Sequence, residues 1–199
     1  SHHCFGRSAN RGECAQFCRL AFDLKDSSGN TIRKASHLLS LKDMNQLDRL
    51  EDIIAAGATS LKIEGRLKDA AYVKNVVAAY SQHLNSIIAK HPERYCRSSK
   101  GRVEYTFTPN LDKTFNRGFT HYFLDGRRED ISSFDTPKAM GEYVGYVKEI
   151  RRGSFNVAGT AIFANGDGLC FFTPDHKLHG FRVNRVENNR LFPLSMPEE

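Results

Sequence analysis

Between His37 and Ile88 the chain alternates strand-like and helix-like patterns with short connections, and this order constrains the fold more than any other feature. His37–Leu41 reads as a short apolar strand. Leu47, Leu50, Ile53 and Ile54 then fall at helical spacing, with Asp43 or Asn45 available as N-cap and Gly57 as the stop. Ser60–Gly65 alternates with period two, placing Leu61 and Ile63 on one face and Lys62 and Glu64 on the other. Asp69 can cap a long helix whose stripe is Tyr72, Val73, Val76, Val77, Tyr80, Leu84, Ile87 and Ile88. Strand, helix, strand, helix is a βαβα unit, which calls for a parallel sheet. Two such units cannot close a sheet by themselves, so they read as the last part of a barrel or of a doubly wound domain.

The flanks have a different texture. Residues 1–36 are rich in Gly, Ser and Arg, with one short strand at Leu20–Leu24 and a hairpin turn at Asp26-Ser27-Ser28-Gly29-Asn30. His91 to Ala139 is irregular and dotted with aromatic residues. From Gly141 onward the pattern is short strands between turns: Tyr143–Ile150, Ser154–Ala158, Thr160–Phe163, Gly168–Phe172 and Phe181–Glu187. Such a series without an intervening helix points to a small antiparallel barrel. The boundary falls near residue 138, after Thr136-Pro137, dividing the chain into 1–138 and 139–199.

With 199 residues and 40% hydrophobic content the chain can bury a core, and no apolar run approaches the roughly 20 residues needed to span a membrane. Five cysteines is an odd number, and their irregular spacing in a chain this long argues against a disulfide scaffold and for a reducing cytoplasm. A formal net charge of +6 permits a polyanionic partner such as RNA without requiring one. The cationic group Arg94, Arg97, Lys100 and Arg102 lies among Ser, Gly and Pro and reads as a solvated loop.

Two clusters could carry chemistry. Cys14 and Cys18 sit in the run GRSANRGECAQFCR, among Arg7, Arg11 and Arg19. Neighbouring cations favour thiolates, and a thiolate pair suits a metal, a cluster or a redox site. The Cys-x-x-x-Cys spacing is looser than a common zinc pair, and no later Cys/His pair completes it. Cys96 sits in a loop, and Cys170 in a strand pattern reads as a buried structural thiol. The backbone donors and guanidinium groups of GRSANRG suit an anion: a carboxylate, a phosphate or the sulfides of a cluster. The second cluster is Lys62, Glu64 and Arg66. If Leu61 and Ile63 pack on outer helices, Lys62 and Glu64 point into a barrel at a strand's carboxyl end, where such folds place active sites. The alternative is an ion-pair network that merely closes the barrel. His37, His121, His176 and His179 are scattered, no triad can be argued for Ser8, and Asn165-Gly166-Asp167-Gly168 reads as a tight turn.

GRSANRGECAQFCR, HLLSLKDMNQLDRL, SLKIEGRLK and TFNRGFTHYFL, taken in order, closely resemble peptidase family U32, the collagenase-like proteins. The resemblance runs from Gly6 to about Pro193. It implies a catalytic domain like a TIM barrel, here represented by its C-terminal portion in 1–138, followed by a small β-barrel in 139–199. Family members are described as proteases without an agreed nucleophile, or as factors making 5-hydroxycytidine or 5-hydroxyuridine in ribosomal or transfer RNA. The second group implicates prephenate and implies an iron–sulfur cluster, of the 4Fe-4S type. The NLDKTFNRGFT stretch looks closest to the ribosomal-RNA branch.

The resemblance also implies roles. Cluster cysteines of the family come as two pairs, the first in an upstream CVSYSGQC-like segment, and only the second pair maps here, onto Cys14 and Cys18. Cys4 matches no ligand position. Arg7, Asn10, Arg11, Arg19 and Arg66 would bind prephenate-like carboxylates or RNA phosphate, and Lys62 and Glu64 would orient substrate. The expectation is a cytoplasmic C-terminal piece of an RNA pyrimidine hydroxylation factor, with the cluster incomplete and the piece inactive alone. The competing expectation is a peptidase acting on collagen-like peptides. A third is that the C-terminal barrel, through Lys148, Arg151, Arg152, Arg182, Arg185 and Arg190, is an RNA- or protein-binding accessory.

Overall fold

The structure is a computed structural model that describes residues 2–197. The chain mixes helix with mainly antiparallel sheet and divides into two units. One combines the stretch up to Ser40 with the stretch from Ser133 onward; the other is Leu41–Ser132. The sequence boundary at residue 138 lies inside the first unit.

The first unit opens with a helical turn α1 (His2–Phe5), followed by a loop and the antiparallel hairpin of β1 (Phe22–Lys25) and β2 (Thr31–Ser36). The Asp26 carboxylate makes the turn, accepting the backbone N–H of Ser28 at 2.9 Å and of Asn30 at 2.8 Å. His37–Leu41 is not the expected strand. The His37 N–H donates to the Phe134 carbonyl and the Ser40 N–H to the His37 carbonyl, each at 2.9 Å, so the chain turns over at Leu38 and Leu39.

The rest of this unit is a five-stranded antiparallel sheet of β5 (Tyr146–Arg151), β6 (Ser154–Ala158), β7 (Gly168–Phe172), β8 (Leu178–Glu187) and β9 (Arg190–Pro193). Its order is β5-β6-β9-β8-β7. Phe155, Val183 and Leu191 form the buried centre, with Val157, Leu169, Phe181 and Val186 packed around them. Gly145 enters the sheet at φ +125°, and a Cβ there would stand 2.0 Å from the Ala158 carbonyl oxygen, so only glycine fits. The sequence pattern locates β6 and β7 but places a strand at Thr160–Phe163 where none forms, and it misses β9. The outer strands β5 and β7 are not paired with each other, so among the described residues the sheet stays open rather than closing as a barrel.

The second unit contains a two-residue parallel pair, β3 (Asp43–Met44) with β4 (Phe119–Thr120). A 3-10 turn at Leu47–Arg49 leads into α2 (Leu50–Ala55); the N-caps are Gln46 and Arg49 rather than Asp43 or Asn45, although Asn45 Oδ1, one residue before the first cap, accepts the Leu47 N–H at 3.0 Å. The long helix α3 (Ala70–Lys90) starts at Asp69, whose carboxylate accepts the Tyr72 N–H at 2.7 Å. Leu50, Ala78, Ala79 and Ile87 are buried, whereas Val73 and Val77 of the expected stripe are exposed. The buried face of α3 is thus rotated toward the alanines.

Ser60–Gly65 does not form the expected strand. It runs irregularly without a ladder partner among the described residues, and both of its faces are open: Leu61 and Ile63 are exposed, as are Lys62 and Glu64. A strand requires a neighbour to satisfy its N–H and C=O groups. The parallel pairing that does form uses Phe119–Thr120, a segment far away in sequence.

Candidate functional site

In the first unit the cysteine loop is built by two 3-10 turns, Ala9–Arg11 and Phe17–Arg19. The first closes on Ser8, whose carbonyl accepts the N–H groups of Arg11 and Glu13, with Gly12 left-handed at φ +79°. The second begins at Gln16, a left-handed non-glycine residue at φ +51°, whose N–H donates to Cys14 Sγ at 3.4 Å. Phe17 stacks on Phe5 with centroids 5.6 Å apart. Arg19 is anchored: its guanidinium donates to buried Ser40 Oγ at 3.0 Å, and its carbonyl stands 2.9 Å from His37 Nδ1. Asn10 and Arg11 are exposed, as are Arg7 and Cys14; Cys18 is half-buried.

The loop offers two thiols, with a backbone N–H aimed at the Cys14 sulfur. Among the described residues no group of three or more metal-ligating side chains stands together. Cys4 and Cys96 are exposed. Cys170, expected to be buried, is exposed too, its Sγ 3.2 Å from the Met140 carbonyl. Its strand lies at the edge of the open sheet, which explains the difference.

Lys62, Glu64 and Arg66 belong to the second unit and are not gathered into a pocket. Lys62 and Glu64 form an exposed ion pair at 3.7 Å, and Arg66 is exposed. Exposed pairs of this kind contribute between 0 and about 1 kcal/mol.

The second unit carries a site that sequence patterning missed. A cleft of about 520 Å³ lies where β3 and β4 end, lined by Asn45 and Asp48 after β3, Phe119, Thr120 and His121 of β4 and its exit, and His83, Arg128 and Asp130. Beneath it, Asp43 and Arg117 tie the two strands together. Arg117 donates from its backbone N at 2.9 Å, from Nε at 3.1 Å and from Nη2 at 2.5 Å, a bidentate grip with the guanidinium largely buried. The Tyr80 hydroxyl, its pKa raised by burial, accepts the Gln46 N–H at 2.8 Å and donates to Asn45 Oδ1 at 3.1 Å.

His121 stands between two carboxylates, with Nε2 2.9 Å from Asp48 and Nδ1 3.1 Å from Asp125. Asp125 also receives Arg49 at 2.8 Å and Arg128 at 3.8 Å. The His121 hydrogen bond, ahead of these cations, holds its carboxyl below the usual value, against the opposing effect of burial. Asp130 is held by Lys42 at 2.6 Å. The sequence signal for His121 is its place within TFNRGFTHYFL, but a two-residue strand is too short for periodicity to register.

The model of peptidase family U32 matches residues 1–133. The chain belongs to peptidase family U32. Its relatives include the 23S rRNA 5-hydroxycytidine C2501 synthase of Escherichia coli, 45% identical over 204 residues, covering all of this chain and 31% of that protein. The tRNA hydroxylation protein P1 of Bacillus subtilis is 30% identical over 88% of this chain and 42% of its own length. A collagenase of Porphyromonas gingivalis is 34% identical over 64% of this chain and 34% of its own length. The U32 chain therefore spans only a third to two fifths of the curated relatives it matches. No solved structure matches it. Among the described residues, no helix is long and apolar enough to cross a membrane.

Proposed function

We propose that this chain belongs to an RNA pyrimidine hydroxylation factor of the U32 family, with ribosomal RNA as its substrate. One observation carries the reading: similarity to the rRNA synthase extends over the whole chain, C-terminal sheet included, at 45% identity. Similarity to the collagenase covers 64% of it.

In this reading residues 37–90 form part of an α/β barrel, and Ser60–Gly65 gains neighbours there that satisfy its backbone and order Lys62, Glu64 and Arg66. The five-stranded sheet is the chain's share of the accessory β domain. Cys14 and Cys18 are two ligands of an iron–sulfur cluster, and the Gln16 N–H to Cys14 sulfur stabilises the thiolate. When bound, the cluster supplies electron-transfer chemistry. Arg7, Asn10 and Arg11, all exposed beside the thiols, attract anionic substrate or RNA phosphate by charge and hydrogen bonding. Arg19, fixed through Ser40, holds the loop in shape.

Mass spectrometry of ribosomal RNA from a strain lacking the gene tests the proposal. Loss of 5-hydroxycytidine, restored by the wild-type gene and not by Cys14→Ser, is expected; unchanged hydroxypyrimidines would sink it. Iron content and the visible spectrum of the anaerobically purified full-length protein test the ligand assignment, because Cys14→Ser or Cys18→Ser should lower both. Peptide hydrolysis that survives Cys14→Ala and Cys18→Ala would instead favour a peptidase.

A further inference from the structure

We infer that the cleft at the carboxyl ends of β3 and β4 receives a single pyrimidine base, turned out of its RNA strand. The inference rests on the RNA reading and adds to it where the base is held and by which residues.

Four observations converge. Parallel strands present their carboxyl ends to a crevice where ligands bind, because the loops that follow diverge and leave room between them. Here Asn45 and His121, the residues immediately after β3 and β4, both line the cleft. Its volume of about 520 Å³ falls within the range of small-molecule sites, roughly 300–1,000 Å³, and is far too small for a duplex. The framework is rigid, because the Asp43–Arg117 grip joins the strands and the Asn45–Tyr80–Gln46 hydrogen bonds fix the near wall.

The lining chemistry then selects the ligand. Leu47 and Phe119 supply apolar surface for the face of a ring. Around them stand acceptors, the Asp48 and Asp130 carboxylates, and donors on Arg128. Asp48 Oδ1 is used by His121 and its side chain remains largely exposed, leaving capacity for a second donor. Among the described residues the His83 imidazole has no hydrogen-bond partner, and it can serve as donor or acceptor. A heterocycle with an amino or imino donor beside a carbonyl acceptor meets this set, as the Watson–Crick edge of a pyrimidine does. That edge is free only when the base is unpaired and extruded, which is how enzymes acting on a base reach it. Asp48 is a positioning residue here: it orients the base and His121 together.

The test uses the full-length protein and a ribosomal RNA hairpin with pyrrolocytosine, fluorescent when unstacked, at the target position. Wild-type protein should raise the fluorescence several-fold on binding. Asp48→Asn and His83→Leu should each cut that rise at least tenfold while RNA affinity by filter binding stays within about twofold and iron content is unchanged. Asp48 is exposed, so its replacement should leave folding intact, and His83→Gln should recover part of the signal. RNA bound with no fluorescence rise, or variants that flip the base normally, would overturn the cleft assignment while leaving the hydroxylation reading standing. Unchanged hydroxypyrimidines in the deletion strain would sink that reading and the cleft assignment with it.

Discussion

The cysteine loop and the β3–β4 cleft are opposites. The loop carries the loudest sequence signal, two thiols among arginines, yet it is shaped mainly by short-range turns and leaves Cys14 exposed. The cleft draws on HLLSLKDMNQLDRL and TFNRGFTHYFL, whose residue types advertise no chemistry, yet it is framed by a bidentate ion pair, a half-buried tyrosine and a doubly paired histidine brought together from residues 43 to 130. Conspicuous motifs can therefore mark where a site is supplied with chemistry, while the rigid part of a site can be assembled from residues whose spacing says nothing.

Stability measurements should separate regions that depend on long-range assembly from those that do not. A large effect is expected for Asp43→Ala, which strands the largely buried Arg117 guanidinium and should cost about 3–5 kcal/mol in denaturant unfolding, the usual penalty for breaking a buried pair. A change below about 1 kcal/mol would mean that the cleft does not depend on this grip. Leu191→Ala, at the fully buried centre of the sheet, should cost about 2–5 kcal/mol by cavity formation. An unchanged fluorescence rise on RNA binding is expected for this variant, and its loss would show that the cleft depends on the sheet.

Smaller effects sharpen the contrast. Asp69→Ala removes the cap of α3 and should cost about 1 kcal/mol. Lys62→Ala in this 199-residue chain should change stability by less than about 0.5 kcal/mol, because its partner Glu64 is also exposed. A larger loss would show that Ser60–Gly65 has a partner beyond the ion pair. The smallest readout is a titration. The folded-state pKa of Asp125 is depressed, so its contribution to stability is fully present above the ordinary value of 3.8 and fades as pH falls through the lowered one. NMR titration of the carboxyl should find that lowered midpoint, and His121→Asn should move it upward.

The sequence by itself was enough for features whose cause is local. The Asp26–Asn30 turn, the cap at Asp69, the two helices and strands β6 and β7 follow from side chains bonding to their own backbone or from short-range periodicity. The family, too, was readable from four collinear motifs. Only tertiary structure decided which extended segments became strands. Among the described residues Ser60–Gly65 and Thr160–Phe163 have strand-like patterns but join no ladder, and His37–Leu41 makes only an isolated bridge from Leu41 to Ser132, whereas Phe119–Thr120 and Arg190–Pro193 became strands. The same long-range pairing created the cleft and put His121 between Asp48 and Asp125. A strand exists by virtue of its neighbour's hydrogen bonds, and a site by virtue of residues distant in sequence. Neither is encoded in any window short enough to show a period.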